Sequence, residues 1–364
     1  MGASRSLQRS SPMRLLLALV GLLAFLYYMI TPSSPSSSAS DSKTLNINLP
    51  DASQPTPTAA LVPPKTAPEI QNISMNNLTA TANPLKNQEK LLILTPLARF
   101  YDEYWQNLLN INYPRNLIEL GFITPKTHGG NLATVKLQEA LRKVQNGSKK
   151  NRFAKVTILR QDFSMPVGTS EKERHAMKAQ KERRASMARA RNSLVFTTLN
   201  PTIAWVLWLD SDIVETPPSL FTDLAKHDKP VIVPNCFQRY KEAGVWKERP
   251  YDFNSWQDSE TAQNLGKKMK EDDILLEGYA EMPTYRALMA YQRDEKGDKR
   301  TEMQLDGVGG TALLVKAEIH RDGAMFPTFP FYHLIETEGF AKMVKRLGYQ
   351  PFGLPNYLVY HYNE

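Results

Sequence analysis

Cysteine is almost absent from this 364-residue chain, whose only thiol is that of Cys236. A single cysteine excludes any disulfide within the chain, so a folded domain must depend on its apolar core. The simplest interpretation of Cys236 is a small buried hydrophobic residue, and a bridge between two chains is the alternative. The stretch from Leu91 to Glu364 is long enough to form one large α/β domain with such a core.

Glycine, phenylalanine, tyrosine and tryptophan are all missing between Thr31 and Lys90, where Pro, Ser, Thr, Asn and Ala dominate. A segment of this composition buries too little apolar surface to offset the chain entropy that folding would cost. Its prolines stiffen it into a spacer. We therefore expect residues 31–90 to be a disordered stem that precedes a folded domain at residues 91–364.

Acidic residues are missing from the first fourteen positions, which carry Arg5, Arg9 and Arg14. An uncharged apolar run follows from Leu15 to Ile30, and its length suits a short span across a thin bilayer. The arginines favour a cytoplasmic tail at residues 1–14, a signal anchor at residues 15–30 and a lumenal remainder. A cleaved signal peptide is the alternative, and we favour the uncleaved anchor of a type II membrane protein.

The formal net charge is +8, and most of the basic clusters lie between Lys149 and Arg191. A basic excess can indicate nucleic-acid binding. A lumenal location argues against nucleic acid and favours anionic phosphates or acidic partners. Three N-glycosylation sequons agree with that location, and they begin at Asn72, Asn77 and Asn146.

Apolar runs alternate with helical spacing along the first half of the expected domain. The runs predict strands at residues 91–95, 116–124, 153–159, 204–209 and 231–233, and the spacing predicts helices at 99–111, 131–145, 170–199 and 218–226. This alternation favours an α/β fold with a mostly parallel central sheet and helices on both faces. Residues 237–301 are polar and irregular, after which we expect a strand at 309–315, a helix at 333–347 and a strand at 358–362.

The predicted strand that ends at Leu209 is followed directly by Asp210-Ser211-Asp212. Ligands of open α/β sheets bind beyond the carboxyl ends of the strands. Two carboxylates at that place suit Mg²⁺ or Mn²⁺, which complete their coordination with substrate phosphates. Such a triplet is otherwise common in turns and helix caps. We interpret this one as a candidate metal site for chemistry on a phosphorylated donor.

Six segments of the chain, spread over nearly all of Leu91 to Glu364, resemble one known family. They are Leu91–Leu97, Ala188–Asn192, Trp208–Asp212, Glu277–Glu281, Gly307–Thr311 and His361–Asn363. The family is that of the fungal mannan polymerase α-mannosyltransferases, glycosyltransferase family 62. The resemblance implies a GT-A fold, GDP-mannose as donor, Mn²⁺ as cofactor and retention of the α configuration. It also implies extension of the α-1,6-linked mannan backbone of N-glycans within multi-subunit Golgi complexes.

The metal site is expected to comprise Asp212, Asp210 and His361. Asp212 is the first ligand, as the second acid of this motif usually is in similar GT-A enzymes, and Asp210 contacts the metal, the ribose or the sugar. His361 is the third ligand that the resemblance implies, and the apolar residues before it, which predict a packed carboxyl terminus, and the suitability of imidazole for Mn²⁺ agree with that role. A surface histidine near a chain end is the alternative.

The remaining candidates are expected to bind the two substrates. Donor contacts are expected from Thr95, Pro96, Arg99, Asp162, Arg189, Arg191, Asn192, Gly309 and Gly310. Arginine suits phosphate because its planar group donates two hydrogen bonds, and glycine lets backbone approach a ligand closely. Simpler alternatives are a solvated helix face for the arginines, strand termination for Thr95 and Pro96, and an ordinary turn for the glycines. Acceptor contacts are expected from Glu277, Tyr279 and Glu281.

Three functions remain open from the sequence. The favoured one is an active GDP-mannose-dependent α-mannosyltransferase with catalytic Asp210 and Asp212. The second is a weakly active or structural subunit that positions a partner in a mannan polymerase complex. The third is a nucleotidyltransferase on a similar sheet, which the anchor and the sequons disfavour.

Overall fold

A large mixed β-sheet forms the centre of the computed structural model, which describes residues 70–76, 78–162, 177–280 and 282–363. The predicted tail, anchor and most of the predicted stem lie outside these residues. None of the helices in the described ranges has the length and apolar character needed to cross a membrane. Residues Gln71–Glu364 make up one structural unit.

The strands of the described ranges vary in length from 2 to 12 residues. They are β1 (Lys90–Pro96), β2 (Ile118–Thr124), β3 (Lys155–Arg160), β4 (Ile203–Leu209), β5 (Ile213–Glu215), β6 (Val231–Glu242), β7 (Val245–Pro250), β8 (Trp256–Gln257), β9 (Ala287–Leu288), β10 (Met303–Gln304), β11 (Ala312–Lys316) and β12 (Pro351–His361).

The α-helices in the same ranges are α1 (Asp102–Asn110), α2 (His128–Gln145), α3 (Met177–Thr198), α4 (Leu220–Ala225), α5 (Glu260–Gly266), α6 (Ala317–Arg321) and α7 (Glu336–Arg346). Thr127 caps α2, because its side chain accepts a hydrogen bond from Gly130 N. The first part of the helix predicted at 170–199, residues 170–176, lies outside the described residues.

The strand order is β10-β12-β6-β11-β4-β1-β2-β3, with β5 added to β12 and β7 to β6. Pairing is parallel from β3 through β2 and β1 to β4, and again between β12 and β6. The prediction of a mostly parallel sheet missed β11, which is antiparallel to both of its neighbours. A parallel strand is usually reached through a helical crossover. Instead, β11 is reached through the irregular segment that follows β7, which allows it to enter from the opposite end.

Two apolar layers cover the two faces of the sheet. Alternate residues of β1 supply both, with Leu91 and Ile93 in one layer and Leu92 and Leu94 in the other. The first layer includes residues of α1, α2 and α4, and the second includes residues of α3, α6 and α7. Every residue of β4 is buried, as expected for a strand covered on both sides. The chain therefore leaves the core abruptly at the carboxyl end of β4.

The carboxyl end of β4 lies beside the end of the chain. After the turn at residues 210–212, β5 pairs with the last residues of β12, and Ile213 stands opposite His361. Strand β12 also runs parallel to β6 up to His361, so the carboxyl terminus is packed rather than free. This topology brings together two parts of the sequence that are about 150 residues apart.

Candidate metal and nucleotide site

The turn Asp210-Ser211-Asp212 is fixed by backbone hydrogen bonds to two other segments. Asp210 N donates to Thr311 O at 3.0 Å, and Tyr362 N donates to Asp212 O at 2.7 Å. Within the turn, Ile213 N donates to Asp210 O at 3.1 Å. Because the residue before β11 and the carboxyl-terminal segment both hold the backbone, the turn is fixed independently of the side-chain contacts of its two acids.

Asp212 and His361 form the pair that the sequence predicted to lie together. Asp212 Oδ2 is 3.1 Å from His361 Nε2, and the histidine side chain is 2 % exposed. His361 Nδ1 lies 2.7 Å from Tyr362 O. The imidazole is stacked on the ring of Tyr251, with 3.6 Å between the ring centroids. The other carboxylate oxygen, Asp212 Oδ1, is buried and has no hydrogen-bond partner among the described residues.

This pair has the chemistry of a partial metal site. A histidine that donates Nδ1–H to a backbone carbonyl presents Nε2 as a ligand, which is the usual arrangement around protein-bound metals. One imidazole and one carboxylate suit Mn²⁺ better than Mg²⁺. Within the described ranges, no group of three His, Cys, Asp or Glu side chains is arranged to hold a metal. A cation at this pair would therefore need oxygen atoms from its substrate to complete its coordination.

Asp210 has a different partner, Arg191 on α3. Arg191 Nη2 lies 3.0 Å from Asp210 Oδ1 and 3.1 Å from Oδ2. Arg191 Nε donates to Glu336 Oε1 at 3.2 Å, and the arginine side chain is 2 % exposed. Its guanidinium lies near the rings of Trp208 and Phe326, 5.5 and 5.6 Å from their centroids. Arg191 Nη1 is buried and has no partner among the described residues, so a donor and an acceptor are both left unpaired near this turn.

Among the described residues, acidic side chains outnumber basic ones around the turn, with Asp210, Asp212 and Glu336 against the single guanidinium of Arg191. Burial raises the pKa of Asp210 to about 7, and the charges of Asp212 and Glu336 act in the same direction while Arg191 opposes them. Because Asp212 and Glu336 contribute to this shift, a further positive charge at the turn would favour the ionised form of Asp210. The electrostatics of the site therefore favour binding of a divalent cation.

Gly309 and Gly310 were predicted to let the backbone approach the donor, and the structure shows that protein side chains fill the space beside them. A Cβ atom on Gly309 would lie 1.5 Å from Asp252 Oδ2. A Cβ atom on Gly310 would lie 2.7 Å from Arg191 Nη2. Asp252 is itself fixed, because its Oδ1 accepts from Asn254 N and Nδ2 at 2.9 and 3.0 Å. These glycines therefore make room for Asp252 and Arg191.

Thr95 joins the ends of two central strands. Its buried hydroxyl donates to Leu209 O at 2.8 Å, and it therefore accepts from the hydroxyl of Tyr104. Burial raises the pKa of Tyr104 far above its ordinary value, which keeps that hydroxyl protonated. The side chain of Thr95 therefore supports Leu209, the residue before Asp210. Pro96, which follows Thr95, is half-buried at the end of β1.

Asn192 and Arg189 have contacts away from the two carboxylates. Asn192 Nδ2 donates to Phe326 O at 2.7 Å, and Asn192 Oδ1 accepts from Phe326 N at 2.9 Å. The amide thus fixes the aromatic residue that packs on Arg191. Arg189 is exposed and donates to Ser186 Oγ at 3.1 Å, so α3 carries it away from Arg191.

Arg99 and Asp162 are exposed residues at the carboxyl ends of β1 and β3. The guanidinium of Arg99 lies 5.1 Å from the ring centroid of Tyr101 and 5.6 Å from that of Tyr362. Since Tyr362 follows His361, Arg99 borders the candidate site. Asp162 Oδ1 accepts a hydrogen bond from Lys126 N at 2.6 Å. Asp162 is the last described residue before the range 163–176, which the structure does not describe.

The acceptor candidates are only partly described. Glu277 is engaged by protein groups, since its two oxygens accept from Arg286 Nη1 and Thr284 Oγ1, each at 2.7 Å. Tyr279 is half-buried, and Glu281 lies outside the described residues. Among the sequon residues, Asn72 and Asn146 are exposed, and Asn77 lies outside the described residues.

Sequence reasoning missed two neighbours of the candidate site, Glu336 and Tyr251. Glu336 bonds Arg191, and Tyr251 stacks on His361. No local signal marks them, because Tyr251 lies just after β7 and Glu336 is the first residue of α7, and their contacts with His361 and Arg191 depend on packing between distant segments.

A buried histidine supports Trp208, the residue two positions before Asp210. Trp208 Nε1 donates to His320 Nε2 at 3.2 Å, so His320 is the neutral tautomer whose Nδ1 donates to Ala324 O at 2.9 Å. Burial lowers the pKa of His320 from 6.5 to about 4. The ring is therefore uncharged at neutral pH.

We expect His320 to make folding stability dependent on pH. Because its folded pKa is depressed, its contribution is complete above pH 6.5 and is lost as the pH falls towards 4. At pH 5 the loss is about 2 kcal/mol. Urea unfolding of the wild type and of His320→Gln at pH 7 and pH 5 measures this loss of unfolding free energy. The stability difference between the two proteins should shrink at pH 5, and a constant difference would contradict the assignment.

Comparison with known proteins places the chain among fungal relatives. The family model described as Anp1 matches residues 69–330. The chain is 59% identical over 290 residues to the mannan polymerase complex subunit mnn9 of Schizosaccharomyces pombe, which covers 80% of this chain and 85% of the relative. It is 55% identical over 297 residues to mannan polymerase complex subunit MNN9 of Candida albicans, which covers 81% of this chain and 80% of that relative.

Similarity to a solved structure is much weaker. The mannosyltransferase PcManGT from Pyrobaculum calidifontis, in complex with GDP-Man and Mn²⁺, has 13% identity and a TM-score of 0.38, over 75% of this chain and 56% of that chain. That similarity is too low to assign the fold. The sequence relationships are decisive, since the family model spans most of the chain and both relatives match over about four fifths of their length. The chain therefore belongs to the Anp1 family, and the sequence resemblance to mannan polymerase subunits is confirmed.

Proposed function

We propose that this chain is a metal-dependent α-mannosyltransferase of the GT-A type that transfers mannose from GDP-mannose with retention of configuration. The observation that carries the proposal is the Asp212–His361 pair next to Asp210 and Arg191, with an Asp212 Oδ1 that has no partner among the described residues. The proposed cofactor is Mn²⁺. Asp212 and His361 are its protein ligands, and Asp210 lies beside them under the control of Arg191.

Each protein group has a role that follows from its contacts. Asp212 Oδ1 and His361 Nε2 supply one oxygen and one nitrogen to the cation, while His361 Nδ1 stays on the carbonyl of Tyr362. Arg191 Nη1 donates to a phosphate oxygen of the nucleotide, as a buried guanidinium with an N–H group unpaired within the described part of the chain is suited to do. Bound Mn²⁺ supplies Lewis-acid stabilisation of the negative charge that develops on GDP as mannose departs.

The relatives support the choice of sugar and of partners. Both are named as mannan polymerase complex subunits, so we propose the mannan backbone of N-glycans as acceptor and other subunits of such a complex as partners. We further propose a Golgi membrane location, with residues 15–30 as the anchor and the catalytic domain in the lumen. Donor contacts from Arg99, Asp162 and Arg189, and acceptor contacts from Tyr279 and Glu281, stay predictions.

A donor assay tests the proposal. The full-length chain, purified in detergent with its complex partners, is supplied with GDP-mannose, UDP-sugars or nucleoside triphosphates and an α-1,6-mannan oligosaccharide. We expect mannose transfer from GDP-mannose alone, with loss of transfer in a chelator and recovery on addition of Mn²⁺.

Two results would contradict this assignment. Pyrophosphate release from nucleoside triphosphates would favour the nucleotidyltransferase alternative. Undiminished polymer synthesis by a complex that contains Asp212→Ala would show that this chain has a structural role and that a partner performs the transfer.

A further inference from the structure

Arg191 is held along one edge of its guanidinium group by two carboxylates. Nη2 contacts both oxygens of Asp210, and Nε donates to Glu336 Oε1 at 3.2 Å. Nε–H and one N–H of Nη2 point to the same side of the planar group, so Nη1 belongs to the opposite edge. That Nη1 is buried and has no partner among the described residues. The two acids therefore determine where the unpartnered amino group is directed.

Asp210 alone does not fix the orientation of the guanidinium. A single Nη2 atom shared between two oxygens leaves the plane free to rotate about this contact, because a hydrogen bond at one atom does not define a plane. The second contact, from Nε to Glu336, removes this freedom. The side chain of Glu336 is only 12 % exposed, so water competes little for this bond.

The backbone at Glu336 is strained, and its surroundings keep it in place. Glu336 begins α7 with φ +55°, in the left-handed region that side chains other than glycine rarely adopt. Glu336 N donates to Pro327 O at 3.1 Å. Glu338, two residues further on, has no exposed side-chain surface and accepts from Trp256 Nε1 at 2.9 Å. Strain that is maintained by neighbouring contacts is concentrated at functional sites in proteins.

We propose that Glu336 is a positioning residue, which orients Arg191 so that Nη1 meets a phosphate oxygen of the bound nucleotide. The inference rests on the proposed function, because it takes a nucleoside diphosphate as the ligand. Glu336 does not touch that ligand. It acts through the Nε bond, and its effect on nucleotide binding depends on the presence of an arginine at position 191.

A double-mutant cycle on the full-length chain tests this dependence. The probe is GDP with Mn²⁺, and the measurement is the dissociation constant by calorimetry. We expect Glu336→Ala to weaken GDP binding about tenfold. Glu336→Gln keeps an acceptor for Nε and should weaken it less than about threefold. In the Arg191→Lys background, where no Nε–H remains, Glu336→Ala should have no further effect.

A matched control separates positioning from folding. Glu119 is a buried glutamate that also pairs with a cation, Lys90 at 3.5 Å, but it lies near the amino end of β2, away from the candidate site. Glu119→Ala should lower the unfolding temperature and leave the affinity of the folded protein for GDP unchanged.

The possible failures are distinguishable. If the wild type binds GDP with Mn²⁺ and the effects of the two substitutions are additive, Glu336 has only a structural role and the positioning inference is overturned. The same conclusion follows if Glu336→Gln, which is the variant best able to fold, loses as much affinity as Glu336→Ala. A wild type with no Mn²⁺-dependent affinity for GDP would overturn the proposed function and the inference together.

Discussion

Replacement of Asp212 by asparagine is expected to reduce Mn²⁺-dependent mannose transfer about a thousandfold, which corresponds to about 4 kcal/mol of transition-state stabilisation. The substitution keeps the size of the side chain and removes the charge that Oδ1, buried and without a partner in the described ranges, offers to a cation. His361 would be left as the one remaining ligand of the proposed pair. The affinity for Mn²⁺, measured by calorimetry on the same protein, should fall together with the rate.

The fold should tolerate this substitution. The turn is held by its backbone, through the bond from Tyr362 N to Asp212 O at 2.7 Å, and the side chain of Asp212 is 36% exposed. Asp228→Asn is a suitable control, because Asp228 has φ +51°, which asparagine accepts, and its contact with Lys316 is exposed. Its effect on stability should stay within about 1 kcal/mol, with no effect on transfer. An Asp212→Asn protein that transfers mannose at the wild-type rate would refute the metal assignment.

The core of the site could be predicted because its signals are local in the sequence. Strand β4 is an unbroken apolar run, so its end and the following acids were recognisable without knowledge of the fold. The apolar residues before His361 indicated a packed terminus in the same way. Strands β11 and β6 lie between β4 and β12 in the sheet, so Asp212 and His361 come together only through the short β5, which follows the turn and pairs with β12.

The surroundings of the site could not be predicted from local patterns. Strand β6 continues to Glu242, whereas the sequence predicted its end at Val233. Pro234 and the polar residues after it are not typical of a buried strand, so the extension was not predicted. Strand β12 begins at Pro351, although its prolines argue against a strand. Asp252 lies in an irregular segment and Glu336 begins α7, and the positions of both side chains depend on packing against Gly309 and Arg191. Periodicity carries no information about such long-range contacts.

Arg191 shows what the geometry adds to a prediction made from a shared segment. The sequence placed it near the nucleotide together with Asn192 and Arg189, on the strength of a shared segment. The helix separates the three, since Arg191 meets Asp210, Asn192 holds the backbone of Phe326, and Arg189 is exposed. Neighbours in sequence point in different directions on a helix, so a segment match identifies the region and only the geometry identifies the residue.

Replacement of Gly309 by alanine is expected to destabilise the protein by about 3 kcal/mol. The added Cβ atom would lie 1.5 Å from Asp252 Oδ2, a distance at which the carboxylate must move. It cannot move freely, because Asn254 holds its Oδ1 through two hydrogen bonds. Gly309 is not among the glycines with positive φ, so the cost arises from the overlap rather than from backbone strain.

Urea unfolding at pH 7 measures this effect, and Gly129→Ala provides the matched control. Gly129 lies in the first turn of α2. A Cβ atom at this position would have Ala98 O, at 3.7 Å, as its nearest neighbour. Alanine favours a helix over glycine, so this variant should gain up to about 1 kcal/mol. Opposite signs for the same substitution would show that Gly309 is required because Asp252 occupies the space beside it. Equal stability of Gly309→Ala and the wild type would mean that Asp252 is free to move, and that it does not have a fixed position beside Gly309 and Thr311.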